Sequence, residues 1–165
     1  VAPILATMRD MNVMAKHIVI GVSGGIAAYK SPDLVRRFRD QGADVRVVLT
    51  AGGRQFVTPL ALQAVAGQPV YTSLFESAGT GMEHIELARW ADAVVIAPAS
   101  ADILAKLAHG LADDLLSTLC LATTAPLWVA PAMNRQMWQA VAVQANVASL
   151  RARGVQFIGP ASGVQ

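Results

Sequence analysis

The chain has 165 residues, 54% of them hydrophobic and 15% charged, with 13 Lys and Arg against 11 Asp and Glu for a formal net charge of +2. This is one domain's length with enough apolar content for its own core, which excludes a disordered segment and a disulfide scaffold, and the thin positive charge provides no dense patch for nucleic-acid phosphates. A single cysteine, Cys120, excludes an internal disulfide and a clustered thiolate metal site and suits a reducing, cytoplasmic location. Asp, Arg, Gly and Pro interrupt every apolar stretch before the roughly 18 residues of a membrane span. Residues 1–15 lack the basic start and long apolar run of a secretion signal and read as an N-terminal arm or a translated leader. So sparse a charge also predicts that partner subunits cover part of the exterior.

Residues 17–20 (HIVI) are a β-branched run stopped by GVSGG, and residues 26–41 carry a helical stripe through Ile26, Tyr29, Leu34, Val35 and Phe38. Pro32 either falls in the first turn of that helix, where a missing N–H costs little, or kinks it. A second strand at 45–49 (VRVVL) leads to Thr50, a helical piece near Arg54 and a helix at 59–66. Gly and Ser mark 75–82 as a loop. A short amphipathic helix at 84–90 (HIELARW) precedes a strand at 93–97, helices at 101–109 and 113–121, and a strand at 127–130. One long helix over 135–153, with a core stripe of Ala140, Val143, Val147 and Leu150, and a final strand at 155–158 complete the chain.

Apolar strands alternating with helix-length segments predict an α/β fold: three layers, Rossmann-like or flavodoxin-like, with a mostly parallel central sheet formed by residues 16–165 as one domain. Ligands of such folds bind beyond the carboxyl ends of the strands, here residues 21–25, Thr50, 98–102 and 131–134. In GVSGG the glycines let the backbone approach an anion and Ser23 can donate to it; with the next helix this is either a phosphate nest or a tight structural turn. It is neither GxGxxG nor a triphosphate loop. The second strand ends in Thr50 and not in the acidic residue that grips an adenosine ribose, which argues against the usual dinucleotide fold.

His84 can exchange protons near neutral pH at the mouth of a pocket, or is simply a polar residue at a helix start. His17 and His109 read as structural, and three scattered histidines make no metal site. Glu83, Glu86, Asp113 and Asp114 suit helix starts. The turn PAMN at 131–134 can aim Asn134 into the crevice, where its amide can donate to a carboxylate. Met133, Met137 and Trp138 either fill the core or flank a flat ring. Cys120, inside LLSTLCLA, reads as a small core residue.

Taken together, IVIGVSGGIAAYK, HIELARWAD, APASAD, GLADDLLSTLCLAT and PAMNRQMW resemble the homo-oligomeric flavin-dependent cysteine decarboxylases, over about residues 16–165. The closest branch is the one that acts on phosphopantothenoylcysteine in coenzyme A biosynthesis, where the domain can be fused to a phosphopantothenate-cysteine ligase. The resemblance implies FMN held between subunits of a trimer, which can assemble further into a dodecamer. Matching positions place the flavin near Ser23, Gly24, Gly25, Thr50, Ser100, Ala101, Asp102 and Met133. They make His84 the active-site histidine, Asn134 the residue that engages the cysteine part of the substrate, and Met137 a further substrate contact. The implied reaction oxidises the cysteinyl side chain to a thioaldehyde, releases carbon dioxide to leave an enethiol, and returns the two electrons to give phosphopantetheine. The family protonates the enethiol from a cysteine on a substrate-covering flap that should follow Gln165, so the expectation is a domain truncated before that flap; Cys120 cannot inherit the role. Alternatives of the same fold are a peptidyl-cysteine decarboxylase, a flavin prenyltransferase and a non-catalytic FMN-binding regulatory subunit.

Overall fold

A computed structural model describes residues 1–10, 16–75 and 81–160 of the protein. Five parallel strands form one sheet in the order β2-β1-β3-β4-β5: β1 (His17–Val22), β2 (Asp44–Leu49), β3 (Ala93–Ala99), β4 (Leu127–Pro131) and β5 (Gln156–Phe157). This is the doubly wound order, and it makes the expected mostly parallel sheet wholly parallel among the described residues. All seven residues of β3 are buried, as a strand covered on both faces requires, whereas the edge strand β5 is cut to two residues, which limits pairing with other chains.

Alternate side chains of the strands divide the core in two. Ile18, Ile20, Val22 and Val95 pack with α1 (Ala2–Asp10), α2 (Ser31–Asp40) and α3 (Pro59–Ala66) on one face. Val19, Val94 and Ile96 pack with α4 (Glu83–Trp90), α5 (Ala101–His109), α6 (Leu115–Ala122) and α8 (Val141–Ala152) on the other, while the short α7 (Arg135–Gln139) precedes α8. Helix α1 lies in the segment expected to be an arm or leader and buries Ile4, Leu5 and Met8; residues 11–15 of that segment lie outside the described residues.

The helix expected over 26–41 starts as a 3-10 turn, Ile26–Lys30, and Pro32 falls in the first turn of α2, where no N–H is needed. The long helix expected over 135–153 is two helices. Ala140 leaves the helical region at ψ 136, and the Gln144 side chain donates to the Trp138 carbonyl at 2.6 Å, occupying an acceptor freed at the break. Of the expected stripe, only Val147 and Leu150 are fully buried. Part of the expected loop over 75–82, residues 76–80, lies outside the described residues.

After β2 the chain passes close beneath the end of β1. A Cβ on Gly53 would stand 2.6 Å from the Val22 carbonyl oxygen and 2.7 Å from Leu49 Cδ1. Gly53→Ala should therefore cost about 1–3 kcal/mol in denaturant unfolding, and an unchanged midpoint would remove this steric argument. Cys120 faces the core from α6, and burial, aided by the charge of Asp114, pushes its thiol up to about 12. At pH 8 a thiol reagent should label the native protein at least about 100-fold more slowly than the unfolded chain. Equal rates would contradict a buried thiol.

Candidate functional site

In this strand order the connections from the neighbours β1 and β3 lead to opposite sides of the sheet, which opens a crevice at their carboxyl ends. Ser23, just beyond β1, spans it. Its hydroxyl donates to the Pro98 carbonyl at 2.7 Å and accepts from the Ser100 N–H at 2.9 Å, and the side chain is buried. The serine expected to donate to an anion is thus a strut between two loops, its proton already committed to the protein. Gly24 follows, and a Cβ there would lie 3.1 Å from the backbone of Gly52, so the loops after β1 and β2 touch only because both residues are bare.

Two cavities of about 630 and 1050 Å³ flank this strut and share Gly24, Ser100, Ala101 and Met137. Thr50, Gly52, Asp102 and Lys106 help to line the smaller one. Thr50 Oγ1 accepts from the Gly53 N–H at 3.0 Å, and Ser100 Oγ caps α5 by accepting from the Ile103 N–H at 3.2 Å. The cap leaves the first-turn amides of Ala101 and Asp102 without intrahelical partners, at the positive end of the helix dipole. Gly25, Lys30, Met133 and Asn134 belong to the larger cavity. Asn134 caps α7 through Oδ1, which accepts from the Gln136 N–H at 2.7 Å, so its Nδ2 is the half of the amide available to a ligand acceptor.

The cavities thereby bring together every flavin contact expected from the sequence, along with Asn134 and Met137. His84 is the exception. It sits in the first turn of α4 and lines neither cavity, and its Nδ1 is buried without a hydrogen-bond partner. Cys120 is absent from both and instead borders a separate pocket of about 120 Å³.

Lys106 has no role in the sequence-based expectations, and of its acidic partners Asp102 is expected near the flavin while Asp113 and Asp114 suit a helix start. Its Nζ lies 3.4 Å from Asp102, 3.2 Å from Asp113 and 3.5 Å from Asp114, and all four residues border the smaller cavity. Partial desolvation lowers the pKa of Lys106, but the hydrogen bond to Asp113 and the charges of the three carboxylates outweigh it and hold the ammonium above its ordinary value. The i,i+4 spacing from Asp102 was the available signal; the loop that brings in Asp113 and Asp114 carries none. No group of metal-ligating side chains occurs among the described residues, and no described helix is long and apolar enough to cross a membrane.

The sequence profile of the Flavoprotein family matches residues 7–164. The chain is 57% identical over 156 residues to the coenzyme A biosynthesis bifunctional protein CoaBC of Escherichia coli K12, covering 94% of this chain and 38% of that protein. It is 43% identical over 149 residues to the Bacillus subtilis protein of the same name, covering 90% of this chain and 37% of the relative. Among solved structures, the FMN-dependent cysteine decarboxylase SpaF superposes with a TM-score of 0.82 at 39% identity, covering 86% of this chain and 82% of its own. A mutant PPC decarboxylase complexed with pantothenoylaminoethenethiol does so with a TM-score of 0.75 at 36% identity, covering 88% and 82%. The match takes in every strand of the sheet and all the loops that frame the crevice, and on that extent the chain belongs to the Flavoprotein family.

Proposed function

We propose that this chain is an FMN-dependent decarboxylase that converts phosphopantothenoylcysteine to phosphopantetheine and carbon dioxide in the cytoplasm. The observation that carries the reading is the adjoining pair of cavities at the strand switch point, one lined by Thr50, Asp102 and Lys106 and the other bordered by Met133 and Asn134. An elongated ligand with an anionic end and a flat ring fits that division. Thr50, Gly52 and the start of α5 would hold the phosphate, while Gly25 and Met133 would border the ring. The identity to CoaBC points to the substrate, and the chain spans 38% of that bifunctional relative's length.

The bound flavin would supply a two-electron oxidant for the cysteinyl thiol and return both electrons after carbon dioxide has left. The protein's own task is to position. Asn134 Nδ2 donates to the substrate carboxylate and holds it where the breaking C–C bond faces the oxidised carbon. His84 accepts the proton released in the oxidative step. Since His84 lies outside both cavities of its own chain, a neighbouring copy would bring it to the site, which would make the oligomer, a trimer or a dodecamer of four trimers, part of the catalyst.

Mass spectrometry of phosphopantothenoylcysteine after incubation with the FMN-loaded protein should show loss of carbon dioxide. Intact substrate alongside folded, flavin-bound protein would overturn the assignment. Shared sites make a second prediction. His84→Asn and Asn134→Ala should each lower turnover by at least about 100-fold, yet their co-expression should restore up to about a quarter of wild-type activity, because random assembly pairs an intact histidine with an intact asparagine at that frequency. No recovery from hybrid oligomers would place both residues in a site made by one chain.

A further inference from the structure

Lys106 is the only basic side chain among the described residues lining the smaller cavity, where it faces three carboxylates. Its own side chain is 18% exposed, whereas those of Asp102 and Asp113 are 76% and 60% exposed. The lysine is therefore the fixed member of the cluster and the acids converge on it. The arrangement also joins two elements. Asp102 lies in the first turn of α5, Asp113 and Asp114 lie just before α6, and Asp114 is itself held by a capping box in which its Oδ1 accepts from the Ser117 N–H at 2.7 Å.

We propose that Lys106 is a positioning residue for the cofactor's phosphate: it draws three carboxylates away from the anion, so that an acidic wall tolerates a dianion. The proposal rests on the reading that the smaller cavity takes the phosphate end of FMN. Its physical basis is a charge balance. Thr50, Ser100 and the first amides of α5 offer neutral donors and a partial helix charge, which is a modest field beside three uncompensated carboxylates. Replacing the ammonium by an apolar group of similar length leaves the cavity's shape and removes the compensation, so the loss should fall on the phosphate and not on the ring.

That separation gives the test. FMN and riboflavin share the ring and ribityl chain and differ in the phosphate, and quenching of flavin fluorescence on titration into apoprotein gives the affinity for each. Lys106→Met should weaken FMN relative to riboflavin by roughly five-fold at low salt, and the difference should shrink toward 1 M salt, where screening acts over about 3 Å. Lys106→Arg should retain the wild-type ratio. Should Lys106→Met fail to fold, Asp113→Asn provides the opposite perturbation: one carboxylate fewer should improve FMN relative to riboflavin. A purely structural lysine predicts equal losses for the two flavins with no salt dependence, and that result, or an unmoved ratio in Asp113→Asn, would overturn the proposal. Gly24→Val serves as the control for the site itself. If it weakens FMN while the Lys106 and Asp113 variants leave the ratio unmoved, the cavity assignment stands and the role of Lys106 fails; if Gly24→Val also has no effect, the cavity assignment fails as well.

Discussion

Everything at the carboxyl end of the sheet depends on one buried hydroxyl. Ser23 Oγ donates to Pro98 and accepts from Ser100, fastening the loop after β1 to the loop after β3 where the strand order reverses. Both halves of the hydroxyl are used, and a serine-to-alanine change would leave a backbone N–H and a carbonyl without this partner, at a cost of about 1–3 kcal/mol if water cannot replace it. The bond holds Ser100 where it caps α5, and the cap in turn sets the direction of the amides that border the smaller cavity. A side chain whose pattern suggests ligand binding thus contributes indirectly, by holding the groups that bind.

The glycines complete the frame from the other side. Gly24 and Gly52 meet at backbone distance, and Gly53 passes within 2.6 Å of the Val22 oxygen from where its Cβ would be. These contacts bring the loops after β1 and β2 together beside the smaller cavity, and the larger one lies toward Asn134. A long ligand can then be held by its anionic end against the helix start while its ring remains accessible to a second molecule in the larger cavity. The role proposed for Lys106 fits this division of labour, since it would keep acidic side chains from opposing an anion in the smaller cavity.

Strand positions were legible because residues buried on both faces leave an uninterrupted apolar run, as in β3, and the crevice followed from topology alone. Helices with clear ends were equally legible: α3 and α5 match the expected spans, and both close on a glycine in the left-handed region, Gly67 at φ 70 and Gly110 at φ 69. The break at Ala140 was not, because no glycine or proline marks it and the helical periodicity continues through it. The cluster around Lys106 depends on how α5 meets α6, which no local pattern encodes. His84 is a different kind of limit: its place in the sequence resembles that of an active-site residue, but its single-chain position lies outside the cavities, so the role proposed for it would need a surface supplied by another copy.

The paired cavities at the switch point are proposed as the flavin site, completed by a neighbouring chain. A crystal structure of the FMN-loaded protein tests it most directly. Flavin density should run past Gly24 and Ser100, with the phosphate against Thr50 and Gly52, the ring beside Met133, and the His84 side chain of an adjacent copy facing the Asn134 end. Flavin bound elsewhere, or His84 reaching the ring within its own chain, would contradict it.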